Sequence, residues 1–101
     1  MGEEDIASHI QLSGFRDIDD SSMDIVKKTI MKHNKRIAEL TENVEELHIT
    51  LKKVHERERS EKYEVHAKLV DNGKIMVSQA IERNLFSAVD SVLDKLIHEI
   101  D

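Results

Sequence analysis

Apolar residues recur at every second position in four stretches of this chain and at helical spacing in two others. That pattern predicts four half-buried strands and two one-sided helices. From Ala7 to Ser13, Ile10 and Leu12 share one face, while His9, Gln11 and Ser13 share the other, and Gly14 ends the strand. A polar connector, Asp17 to Ser22, follows, in which Ser21 or Ser22 can cap a helix and Asp24 suits the positive end of its dipole. Val26, Ile30, His33, Ile37 and Leu40 then repeat at the helical period over about Met23 to Glu42. Lys28, Lys32 and Lys35 project on the opposite side. The first helix thus carries an aliphatic stripe and a lysine stripe.

Two alternating segments come next. Leu47, Ile49 and Leu51 point one way against His48, Thr50 and Lys52, and Tyr63, Val65, Ala67 and Leu69 do the same against Glu64, His66 and Lys68. Between them His55 to Lys62 is a charged loop with nothing to bury. Asp71-Asn72-Gly73 reads as a hairpin turn, because Asn and Gly tolerate positive φ. It leads into a fourth strand, about Lys74 to Ala80, expected to bury Ile75 and Val77. Asn84 caps the last helix, whose apolar face is Leu85, Ala88, Val89, Val92, Leu96 and Ile100, widened by Phe86, Leu93 and Ile97.

Every strand alternates, so the sheet has one apolar face, and both helices must cover it. A strand-helix-strand start implies a right-handed crossover and a parallel first pair. The remaining strands form an antiparallel meander. The expected fold is α+β: a two-layer sandwich of order β-α-β-β-β-α, with a four-stranded mixed sheet and two helices on one face. Residues 1–5 are expected to be a flexible N-terminal tail, and residues 6–101 a single domain.

Composition sharpens this picture. Only three of 101 residues are aromatic, so the core is aliphatic. With no cysteine, disulfides, thiolate metal sites and thiol catalysis are excluded. The acidic start, Met1-Gly2-Glu3-Glu4-Asp5, is unlike a secretory signal, and no apolar run reaches the length of a membrane span, so a cytoplasmic protein with no membrane partner is expected. A net charge of −6 argues against sequence-blind nucleic-acid binding, whose affinity comes from neutralising phosphates. The distribution of charge matters more than its sum.

The βαβββα order, the hairpin Asn72-Gly73-Lys74-Ile75-Met76-Val77-Ser78 and the stretch Asn84-Leu85-Phe86-Ser87-Ala88-Val89-Asp90-Ser91-Val92-Leu93-Asp94-Lys95-Leu96 together resemble the ribosome hibernation promoting factor family, also called protein Y or ribosome-associated inhibitor A. The resemblance covers roughly Ile6 to Ile100. It implies a non-enzymatic protein that binds the small ribosomal subunit in its decoding region, through basic helix side chains set against ribosomal RNA, and so inhibits translation or promotes hibernation under stress. Carried over by position, the RNA-binding candidates are Lys28, Lys32, Lys35 and Lys95. The chain departs from the family where the last helix usually continues basic: here stand His98, Glu99 and Asp101, with Asp90 and Asp94 on the exposed side. Long members carry a second, dimerising domain; this chain resembles the short form. The competing reading is a diverged protein–protein interaction module that keeps the fold without RNA binding, including a weak homodimer through the polar sheet face or an edge strand.

Other chemistry finds little footing. His9, His48 and His66 would project from the open sheet face on neighbouring strands, a placement that suits a metal or pH sensing but is more simply three surface histidines. His33, in the aliphatic stripe, is expected to be partly buried and hydrogen-bonded. The charged loop mixes Lys53, His55, Arg57, Arg59 and Lys62 with Glu56, Glu58 and Glu61, as a solvated tip would. There is no Gly-rich phosphate loop, nucleophile elbow or His-Glu-x-x-His. No catalytic residue, cofactor or metal is expected.

Overall fold

In the computed structural model, which describes residues 6–55 and 61–100, the elements are β1 (Ile10–Ser13), α1 (Asp20–Leu40), β2 (Val44–His55), β3 (Glu61–Asp71), β4 (Lys74–Glu82) and α2 (Leu85–Ile100). The sheet order is β1-β2-β3-β4, with β1 and β2 parallel and the other two pairs antiparallel. The α+β sandwich expected from the alternation is the fold observed. The tail at 1–5 and the loop tip at 56–60 lie outside the described residues. The strands run further into the charged segment than the alternation predicted, since His55 pairs with Glu61 and Val54 with Lys62.

The first helix starts earlier than expected. Asp19, in extended conformation, is its N-cap and accepts a hydrogen bond from the Ser22 amide at 3.1 Å, satisfying one of the orphan donors of the first turn. At its far end Asp71 Oδ1 accepts from the amides of Glu42 and Asn43, at 3.2 and 2.8 Å. The α1–β2 connection is thereby clasped to the β3–β4 hairpin. That hairpin turns on Asn72 and Gly73, at φ 52° and 85°, the left-handed pair that matches strand twist. Gly14 serves differently: at φ 83° it packs against β2 so closely that a Cβ would lie 2.1 Å from the Leu51 carbonyl oxygen.

The core lies between sheet and helices. Val26, Ile30 and Ile37 of α1 meet Leu47, Ile49, Val65 and Leu69 of the sheet and Val89, Val92, Leu93 and Leu96 of α2, all fully buried. Each such side chain favours the fold by about 1.5–3 kcal/mol over exposure. Phe15, just after β1, also closes the core. Ser78 Oγ donates to the Val92 carbonyl at 2.8 Å, fixing α2 over β4.

One expectation about the core is overturned. Ile75 and Val77 are not buried: they are 61% and 64% exposed on the open face, and Ile81 is 48% exposed beside them. Met76 and Ala80 point inward instead. The two-residue turn pairs Asp71 with Lys74, which sets Leu69 opposite Met76 and Val65 opposite Ala80. A one-residue slip would bury the larger Ile and Val, but it would break every pairing with β3. Register won over local hydrophobicity.

Candidate nucleic-acid interface

Basic groups can bind phosphate only where they are exposed and uncommitted. Lys28, Lys32 and Lys35 meet both conditions. All three are exposed, and none makes a hydrogen bond or ion pair with another described residue. Their spacing sets them over about two turns on the helix side away from the core positions Val26, Ile30, His33 and Ile37. They line a shallow groove with Met31 and Asn34. Neighbouring Arg36 is instead held by Glu39 at 3.1 Å. Asn34 is itself anchored, its Oδ1 lying 3.1 Å from His9 Nε2, so the β1 side of α1 is fixed to the start of the sheet.

Lys95 does not join this group. It leaves α2 toward the free edge of β4, where its ammonium donates to the Gln79 carbonyl at 3.0 Å. The flank of α2 that faces α1 is acidic. There Asp90 and Asp94, both more than half exposed, approach His33 Nε2 with carboxylate oxygens at 3.4 and 3.1 Å. His33 Nδ1 lies 2.8 Å from the Thr29 carbonyl. The ring is thus buried and hydrogen-bonded, as its place in the aliphatic stripe implied. Its carboxylate partners could not be read from α1, because they sit on α2, with Asp94 lying 61 residues away. A lysine face on α1 and an acidic flank on α2 therefore lie side by side.

The three strand-face histidines separate. His9 precedes β1, in the turn closed by the hydrogen bond from Ile10 N to Ala7 O, and it reaches α1 rather than the open sheet face. His48 stays on that face, 2.7 Å from Ser13 Oγ, and His66 is paired with Glu64. Among the described residues the only group of three or more histidine and carboxylate side chains close enough to share an ion is His33, Asp90 and Asp94, with donor atoms within 4.8 Å of one another. His33 Nε2 already lies against both carboxylates, and this contact links α1 to α2.

A cleft at the N-terminal ends of the helices, between Asp17, Asp19, Lys53, Tyr63, Arg83 and Asn84, mixes both signs. In this cleft the pKa of the Asp19 carboxyl is lowered by hydrogen bonds from the Ser22 hydroxyl and amide. That perturbation comes from capping the helix, not from a dry catalytic cleft. No helix among the described residues is long and apolar enough to cross a membrane.

Comparisons with known proteins bear on this geometry. Residues 9–101 match the family model described as Sigma 54 modulation protein / S30EA ribosomal protein. A ribosomal subunit interface protein from Coxiella burnetii shares the fold at 18% identity, with a TM-score of 0.62 over 91% of this chain and 92% of its own. The Protein Y N-terminal domain of Thermus thermophilus does so at 15% identity, with a TM-score of 0.59 over 96% of each chain. No curated protein matches the chain in sequence. With nearly the whole domain matched, and with the element order and the packing residues of α2 in place, the chain belongs to the Sigma 54 modulation protein / S30EA ribosomal protein family, the family of the hibernation promoting factors.

Proposed function

We propose that this protein binds the small ribosomal subunit through the lysine face of α1 and inhibits translation by occupying the subunit. The observation that carries the reading is the set Lys28, Lys32 and Lys35, exposed on one helix face without partners among the described residues, in a chain whose net charge is −6. Three ammonium groups over two helical turns can each meet a phosphate of folded RNA, while the acidic flank of α2 repels it and so fixes the orientation of docking. Family membership, and the name of the Coxiella relative, support a ribosomal partner. Lys95 is a secondary contact, since it must first leave the Gln79 carbonyl.

On this reading the protein acts by occupancy, in the cytoplasm where ribosomes are, under stress that idles translation. It needs no catalytic residue or cofactor. The alternative, a protein-interaction module that has lost RNA binding, is favoured by the acidic flank of α2. Sedimentation of lysates through sucrose gradients at low and high salt separates the two. The ribosome reading places the protein with small subunits at low salt and at the top of the gradient at high salt. A protein that stays at the top at both salts contradicts it.

A further inference from the structure

The free edge of β4 carries features that ribosome binding by α1 does not use. The strand is the last in the sheet order, nine residues long, and without proline. Ile75, Val77 and Ile81 stand exposed along it on the open face, and such an edge is a template for another strand. The contact from Lys95 to the Gln79 carbonyl shows which backbone groups point off the sheet. In an antiparallel strand the N–H and C=O of one residue face the same side, alternating along the chain. The edge-facing set is therefore Ile75, Val77, Gln79 and Ile81, the residues whose side chains also occupy the open face.

We propose that this edge pairs antiparallel with β4 of a second copy of the chain, about a two-fold axis at Ser78, joining the two sheets into one. Self-complementarity identifies the occupant. Centred on Ser78, all nine residues pair: Lys74 lies opposite Glu82, Ile75 opposite Ile81, Met76 opposite Ala80 and Val77 opposite Gln79. Opposite charges meet at both ends, and the apolar open-face residues of the two copies merge into one stripe. Shifting the centre to Val77 puts Lys74 opposite Ala80. Shifting it to Gln79 puts Met76 opposite Glu82. Of these registers, only the one centred on Ser78 sets Lys74 against Glu82 while pairing Ile75 with Ile81 and Met76 with Ala80. In that register Ile75 with Ile81, and Val77 with Gln79, are the hydrogen-bonded pairs. Lys95 holds the Gln79 carbonyl in the single chain and gives it up to the Val77 amide of the second copy, so Lys95 restrains the pairing.

Sedimentation equilibrium of the full chain, over protein concentrations up to about 500 μM, tests this. A monomer–dimer equilibrium is expected. Val77→Lys, at an exposed position, should weaken it by about tenfold or more, and Lys95→Ala should tighten it. The register is tested by charge: Lys74→Glu and Glu82→Lys should each weaken association, and the double exchange should restore it. Circular dichroism checks that each variant keeps the fold. A chain that stays monomeric throughout overturns the proposal. So does a dimer that Val77→Lys leaves intact, or one for which the double exchange is no better than the singles.

Discussion

His33 Nε2 lies 3.1 Å from Asp94 Oδ1, and this contact ties the two helices together across the layer that covers the sheet. The imidazole is buried while the carboxylate is more than half exposed, so solvent screens the pair. Replacing Asp94 by Asn should cost about 1 kcal/mol or less, far below the 3–5 kcal/mol of a buried pair. Replacing His33 by Ala removes the buried ring as well, and should cost about 2 kcal/mol. Thermal unfolding reads both, at about 4–8 °C per kcal/mol for a domain of this size.

Met76 and Val77 are neighbours in sequence on opposite faces of β4. Met76→Ala should destabilise by about 2 kcal/mol, whereas Val77→Ala should stay within about 0.5 kcal/mol. Urea unfolding of the two variants checks the register directly. Equal losses, or a larger loss at Val77, would place the strand in the opposite phase.

That phase was not legible in the alternation of β4 alone, and the reason is physical. Lys74 to Glu82 carries apolar residues on both faces: Ile75, Val77 and Ile81 on one, Met76 and Ala80 on the other. Alternation alone could not choose between them. The choice was made by pairing with β3 across the Asn72-Gly73 turn. The other strands alternate unambiguously, and both helices have a single apolar stripe, so the element order and the parallel first pair could be read directly. The lysine face of α1 was legible for the same reason. What spacing within one element could not show was contact between elements. His9 with Asn34, His33 with Asp94, and Lys95 with the edge of β4 are all of this kind.

Gly14 approaches the β2 backbone at positive φ, and alanine there meets both the left-handed penalty and the Leu51 carbonyl. Gly14→Ala should cost at least about 2 kcal/mol, seen as a lowered midpoint in denaturant. Gly73→Ala, in open space, meets only the backbone penalty and should cost less.

Asp19 provides a pH-dependent contribution. Its carboxyl is lowered in the folded chain by the Ser22 hydroxyl and amide. The stability it lends is therefore present above the ordinary carboxylate range and is lost as pH falls through the folded value. Asp19→Asn keeps a cap that can accept from Ser22 but cannot titrate. Thermal melts from about pH 7 to about pH 3 should show a smaller acid-induced loss for Asp19→Asn than for the parent chain. Identical pH profiles would mean that Asp19 lends no pH-dependent stability.

The proposed ribosome binding rests most heavily on the lysine face of α1. Its direct test is equilibrium binding of the purified protein to purified small ribosomal subunits across a salt series, for the parent chain and for the Lys28→Glu/Lys32→Glu/Lys35→Glu variant. Affinity should fall steeply with salt for the parent, and the variant should lose binding or show a salt slope lower by about two to three. A correctly folded variant that binds with the parent's affinity and salt slope would contradict it.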